Sequence, residues 1–405
     1  MAEIPMVFIL AGLTAYTVLA GADFGAGVWT LLTFPGRVGP AETRDHARHA
    51  MGPVWEANHV WLIFVLVVCW TAYPVAFGSI TSTLAVPLFI AAVGIILRGA
   101  SYALRGQLDE AAGRRTIEHV FAVSSILTPF ALGTVVGGIA SGRVPVGNAA
   151  GDLFTSWLNP TSLLIGALAV ATGGYLAAVY LAADARRLGE PLLERDFRAR
   201  ALAAGGCAGA LALGGLLVVR DDAPMLYDGL THGAGAAMVV VSAAAGLATL
   251  ALVWRAHLEP ARASAALAVA AIVAGWALAQ RPRLLPGLTL DQAAAGRTTL
   301  VAVIVSVAAG AAVLIPSLAL LFRLFLSGRL SPGGTGGEPA ALAPATARRA
   351  RSRLRAIFAA TTVFAGVAVT VLTDAGPLLA LGIACLFAGA ISMFALAATG
   401  PDHDS

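Results

Sequence analysis

Glu56, Asn58 and His59 stand together in GPVWEANHVWLI, residues 52–63, at the start of a long apolar run. A carboxylate and an imidazole three residues apart share one face of a helix, and both can exchange protons. Asn58 falls on a different side, with Trp55 and Trp61, where packing against a second subunit is the corresponding role. Ionisable groups at the mouth of a membrane helix mark an ion path, a proton relay or a cofactor contact, because they are expensive to bury. A helix end with its polar groups in headgroup water fits the same pattern, and the three tryptophans Trp55, Trp61 and Trp70 also fit ordinary interface aromatics.

A second carboxylate, Asp23, sits inside the first apolar run in GADFGAG, residues 21–27. An acid in that setting is a functional candidate; capping or bonding a neighbouring helix is the other reading. Gly21 and Gly25 allow a close helix–helix approach. A haem held within one chain draws axial His or Met ligands from matching depth. Of the seven histidines, His46, His49, His257 and His403 fall in loops or the tail. His119 and His232 fall at opposite membrane faces, and His59 has no mate. The sequence therefore assigns no haem, metal or other cofactor to this chain alone. Cys69, Cys207 and Cys385 lie far apart in apolar runs and predict no disulfide framework.

The elements that must hold these residues are apolar helices. The chain is 58% hydrophobic and 12% charged, about half the charge of a soluble protein, with a mean hydropathy of +0.83. Runs of about 20 apolar residues predict an all-α polytopic membrane protein. Eleven spans are expected, near 4–33, 54–71, 79–104, 116–140, 160–182, 201–220, 231–254, 263–280, 298–326, 354–373 and 376–398. The first is read as a retained helix rather than a signal peptide. Pro74 marks a chain reversal between the second and third spans.

All 26 basic residues are Arg. They crowd the loops after odd-numbered spans: Arg37, Arg44 and Arg48, then Arg105, Arg114 and Arg115, then Arg186, Arg187, Arg195, Arg198 and Arg200, with further groups beyond. That asymmetry predicts an outside N-terminus and a cytoplasmic C-terminus. Arg98 and Arg323, within spans three and nine, are expected to snorkel to the cytoplasmic interface. The pI near 9.3 does not argue for nucleic acid, since most of the arginines sit in short loops. Residues 1–327 form the expected membrane core, 328–353 a Gly/Pro-rich and then Arg-rich cytoplasmic linker, and 354–405 an additional transmembrane hairpin with a short tail.

These motifs, with WTAYP at 70–74, LNPTSLL at 158–164 and GWALAQRPRLLPGLTLDQAAA at 275–295, resemble subunit II of the cytochrome bd-type quinol oxidases over about residues 1–327. The resemblance implies a nine-helix core of two four-helix bundles plus a peripheral helix. It implies a haem-bearing subunit I as partner, which binds haems b and d and oxidises quinol, while subunit II binds no haem. Glu56 matches a family acid on a cytoplasmic proton path, Asp23 a span-one acid, and Trp61 a tryptophan beside an oxygen route in some members. His59 stands where other members have Gln. The C-terminal hairpin departs from the family pattern; it replaces a small single-helix accessory subunit or covers a lipid-facing groove, and membrane lipids or quinone are further expected partners. A secondary transporter with intramembrane carboxylates, or a purely structural scaffold, are the competing readings; a transporter calls for paired broken helices with polar breaks.

Overall fold

The computed structural model describes residues 1–32, 39–51, 55–104 and 111–326, with positions 361–362, 365, 381 and 385 beyond them. Two compact units are present, Met1–Ile315 and Pro316–Ser405. The expected spans ten and eleven and the linker at 328–353 lie outside the described residues, apart from those isolated positions.

Seven helices among the described residues are long and apolar enough to cross a membrane. They are α1 (Glu3–Leu31), α5 (Ala85–Leu104), α6 (Ala111–Ala140), α7 (Pro160–Arg187), α8 (Pro191–Asp222), α10 (Gly233–Trp254) and α11 (Leu258–Gln280). Two more apolar helices, α3 (Trp55–Ala72) and α13 (Arg297–Leu326), coincide with expected spans two and nine. In lipid a helix satisfies its own backbone groups, so apolar length translates directly into helix. Shorter helices fill the turns: α2 (Pro40–Met51), α4 (Pro74–Thr83), α9 (Pro224–Thr231) and α12 (Leu290–Ala293).

Three expectations change. The third span, read as one helix over 79–104, is broken at Leu84 between α4 and α5. Pro87 has no N–H for the carbonyl of Thr83, and its ring crowds that carbonyl. Residues 195–200, read as a loop, are the first turns of α8. Their charges pair along the helix, with Arg200 to Asp196 at 2.8 Å and Arg198 to Glu194 at 3.8 Å. The loop at 281–297 folds into a hairpin, β1 (Arg283–Leu285) against β2 (Leu288–Thr289), followed by α12. Gly287 turns it at φ +74°, a conformation that favours glycine. Thr289 and Gln292 form a capping box on α12. The hairpin's Leu285 and Leu288 join Ala72, Tyr73 and Ala76 in one apolar cluster, and Ala295 N–H donates to the Ala72 carbonyl at the end of α3.

The core is built on small residues. The largest buried cluster packs Ala22, Ala26 and Trp29 of α1 against residues 175–185 of α7 and against Phe197, Val253, Ala261 and Ala265. Small side chains let helix backbones come close without a hydrophobic drive between them. A Cβ on Gly137 would lie 2.3 Å from the Ser162 Cα, and one on Gly133 would lie 2.7 Å from the Gly166 Cα. Gly133 and Gly137 therefore form the face of α6 that admits α7.

Arginines staple the ends of the bundle. Arg198 donates to the Val253 and Trp254 carbonyls at the C-terminus of α10, the end that favours positive charge. Arg187 grips Glu259 through two bonds of 2.9 Å. At the opposite end, Arg143 binds Asp222 through bonds of 2.9 and 2.6 Å, and Asp222 also accepts from Thr161 N–H and Oγ1. Asp222 thus caps the first turn of α7 from the end of α8. Asp222→Asn is expected to cost about 1–2 kcal/mol. The check is a lowered thermal midpoint of the solubilised complex, with turnover unchanged well below it.

Candidate functional site

Arg98 is the residue around which the polar interior is built. It does not snorkel: its side chain is 0% exposed and pairs with Asp23, itself 1% exposed, at 2.8 Å. The buried stripe of α5 runs Pro87, Ala91, Gly94, Arg98 and Ser101. These spacings of four and three define one helix face, and Arg98 is on the inward one. With its head between neighbouring helices, the guanidinium finds partners that reach across three elements.

Those partners are specific. Arg98 Nη2 donates to both the Asp23 carboxylate and the Asp23 backbone carbonyl, each at 2.8 Å, and Nη1 donates to Ser125 Oγ on α6. Aromatic rings surround the cation: its Cζ is 4.3 Å from the Phe121 ring centroid, 4.8 Å from that of Phe24 and 5.7 Å from that of Tyr102. A desolvated guanidinium over such rings gains about 2 kcal/mol from the ring quadrupole. Gly27 makes room for this junction, since a Cβ there would fall 2.1 Å from Ser125 Oγ. Pro129, one turn after Ser125, lies inside α6 and offers no N–H to the Ser125 carbonyl.

His59 adjoins the same group. Its ring lies 6.0 Å from that of Phe24 and 6.1 Å from that of Tyr16, and it is within electrostatic reach of Asp23 and Arg98. Asp23, His59 and Arg98 are therefore brought together by α1, α3 and α5. Trp61 is half-buried beside Phe64, centroid to centroid 6.3 Å, and packs on the cluster of Tyr16, Ala20 and Phe24. The side chains of Trp55 and Glu56 lie outside the described residues, although both positions belong to α3.

Asn58, Gly21 and Gly25, read as packing residues, make contacts within the chain. Asn58 is 1% exposed, and its Nδ2 donates to the Leu19 carbonyl of α1. Gly25 faces Gly173 of α7, where a Cβ would lie 1.9 Å from the carbonyl oxygen; one on Gly21 would touch Leu176 and Gly173. Helix α1 is the inner partner of α3 and α7, and that accounts for all three. Trp29, absent from the sequence-level candidates, locks the α1–α7 contact by donating its indole N–H to the Gly174 carbonyl at 2.8 Å. Arg200 stacks over it at 5.4 Å.

Two of the described histidines are engaged within the protein. His46 Nε2 bonds the Leu181 carbonyl at 2.9 Å, and exposed His232 pairs with Asp228. No group of three His, Cys, Asp or Glu side chains converges among the described residues.

Residues 1–325 match the family profile described as cytochrome bd terminal oxidase subunit II. The chain belongs to that family. Curated relatives include subunit 2 of a cytochrome bd ubiquinol oxidase from Bacillus subtilis (strain 168), 28% identical over 118 residues, covering 29% of this chain and 33% of the relative. Subunit 2 of the cytochrome bd-I ubiquinol oxidase of Escherichia coli (strain K12) is 26% identical over 189 residues, covering 44% of this chain and 47% of the relative. The chain thus spans a third to about half the length of these curated relatives. A chain of the bd oxidase structure from Geobacillus thermodenitrificans superimposes with a TM-score of 0.61 and 27% identity, covering 80% of this subunit II-family chain and 98% of that one.

Proposed function

We propose that this chain is the haem-free subunit II of a heterodimeric quinol:O2 oxidoreductase, a terminal oxidase of an aerobic respiratory chain in a bacterial plasma membrane. Its partner is the haem-bearing subunit I, which supplies haems b and d and oxidises quinol. The observation that carries the reading is the buried Asp23–Arg98 pair with His59 beside it, in which Asp23 comes from the motif GADFGAG, His59 from WEANHVW and Arg98 from α5, in a chain of this family. Two titratable groups and a fixed cation inside an apolar bundle are costly to keep; moving protons toward subunit I is a use that justifies the cost.

In this reading protons enter from the cytoplasmic side, pass the acids Glu56 and Asp23 with His59, and leave toward the partner. The N-terminus is outside and the C-terminus cytoplasmic. The arginines at the C-terminal ends of α7 and α10 and in the first turns of α8 and α11 lie on the cytoplasmic face, as an excess of inward positive charge requires. Trp61, packed on the α1 aromatic cluster, is the candidate lining of an oxygen route. The outward side of α3, with Val60, Ile63, Val67 and Trp70 exposed, is available to subunit I. A small single-helix accessory subunit, lipid or quinone are further partners.

The test uses the complex purified from its native membranes. Asp23→Asn keeps the shape and hydrogen bonds to Arg98 while removing the titratable group. We expect quinol-driven O2 consumption to fall by on the order of tenfold or more, with an unchanged reduced-minus-oxidised haem spectrum. Parental turnover and parental proton uptake in vesicles rule out delivery through Asp23. A folded chain that purifies with no haem-bearing partner rules out the oxidase reading altogether.

A further inference from the structure

A surface recess lies where the ends of α1 and α5 meet α2 and the start of α6. It is lined by Arg44, Ser101, Tyr102, Glu118, His119 and Phe121 among others and has a cavity volume of about 70 Å³, room for a few waters. Its walls carry a carboxylate and an imidazole on successive residues of α6, two side-chain types that can accept and pass on protons. Its floor is made by two rings, Tyr102 and Phe121, packed edge to face with centroids 5.1 Å apart at 87°.

The far side of that floor is the buried ion pair. The same two rings stand 5.7 and 4.3 Å from the Arg98 guanidinium carbon, so the recess and the pair are separated by one layer of aromatic side chains. Of the two, only Tyr102 has a hydroxyl, and it interacts with both Arg98 and Asp23. Beyond the pair the interior stays polar. Arg98 Nε, Thr128 Oγ1, the Tyr16 hydroxyl and Asn58 Oδ1 are buried atoms with no protein hydrogen-bond partner. Buried polar atoms of this kind are satisfied by internal water.

We infer that this recess is the water-filled mouth of the proton route in this chain, and that Tyr102 links it to the Asp23–Arg98 pair. The inference rests on the delivery role proposed above. Glu118 and His119 collect protons at the rim. At Tyr102 the charge balances: one proton arrives on a lone pair of the phenol oxygen as the hydroxyl proton leaves for the Asp23 carboxylate, and rotation of the hydroxyl restores the starting state. Phe121 fills the rest of the floor and keeps bulk water from the ion pair, so protons pass where ions do not.

The experiment uses the assembled complex in inverted membrane vesicles. Ser101→Cys places a thiol on the buried wall of the recess, and a membrane-impermeant cationic thiol reagent is applied from the cytoplasmic side. Mass spectrometry of the peptide that carries position 101 separates this adduct from any on the three native cysteines. Tyr102→Phe and the rim variant Glu118→Gln/His119→Gln are then assayed beside Asp23→Asn, each with its haem spectrum taken to establish assembly. Labelling at position 101 is expected. So is a turnover in Tyr102→Phe lower by on the order of tenfold. The alkaline limb of the pH–turnover profile in the rim variant should move to lower pH, because collection then fails at a higher proton concentration. An unlabelled Ser101→Cys, or parental turnover in Tyr102→Phe, overturns the mouth while a slow Asp23→Asn leaves the delivery role standing. Should Tyr102→Phe not assemble, an unmoved alkaline limb in the rim variant overturns it equally. Parental turnover in Asp23→Asn removes the delivery role itself.

Discussion

Arg98→Leu should leave the Asp23 carboxylate buried without its cation, and the loss should be on the order of 3–5 kcal/mol. The variant is expected to give little assembled complex and a strongly lowered thermal midpoint, because α1, α5 and α6 meet at this one guanidinium. Arg98→Lys should fall between the two. A single ammonium cannot reach the Asp23 carboxylate, the Asp23 carbonyl and Ser125 Oγ in the planar arrangement that the guanidinium fits. The double variant Asp23→Leu/Arg98→Leu carries no unpaired charge and should recover most of the stability, since replacing a whole buried pair by apolar groups is often neutral. If assembly returns in the double variant but quinol-driven O2 consumption does not, the pair serves function as well as folding. A single Arg98→Leu variant as stable as the parent would show that the pair does not hold the junction.

Gly25→Val should separate α1 from α7. The Cβ alone would sit 1.9 Å from the Gly173 carbonyl oxygen and 2.3 Å from its carbon, and backbone cannot rotate away as a side chain can. Overpacking of this severity costs about 3 kcal/mol or more, and it also pulls the Trp29 indole off the Gly174 carbonyl. Yield of the assembled complex and its thermal midpoint report the effect. Gly246→Ala is the matched control: nothing lies within 4 Å of a Cβ there, and alanine favours a helix over glycine by about 0.8–1 kcal/mol. A Gly25 variant that behaves like the Gly246 control would mean that the α1–α7 contact is not tight.

The apolar spans were legible because lipid leaves a long hydrophobic run little choice but helix. Irregular places were harder to read. Helix α8 begins ten residues before its expected span because Glu194, Asp196, Arg198 and Arg200 pair along the helix, a stabilisation that hydropathy does not register. The break at Leu84 was written in Pro87 and a hydroxyl-rich stretch, Ser79, Thr81, Ser82 and Thr83, that an apolar average smooths over. In the site, Asp23 and His59 were found from their cost of burial. Arg98 was assigned to the interface from its distance along the helix, when the signal lay in its angle: it shares the stripe of Ala91, Gly94 and Ser101. Asn58 and Gly25 were recognisable as packing residues, but one sequence cannot name the surface each meets; within the chain Asn58 meets α1 and Gly25 meets α7. Tyr102, Phe121 and Ser125 carried no signal of their own, since each becomes polar machinery only after Arg98 is turned inward.

The Asp23–Arg98 pair sums to zero charge, and that determines how it meets an energised membrane. A transmembrane voltage of 100 mV is worth about 2.3 kcal/mol on one unpaired charge carried across, enough to tug a lone buried arginine toward one face. On a cation and an anion held 2.8 Å apart the two forces nearly cancel. While Asp23 is ionised, the junction of α1, α5 and α6 therefore stays at rest whether the membrane is charged or discharged, and only the moment at which Asp23 carries a proton leaves a net charge there for the field to act on.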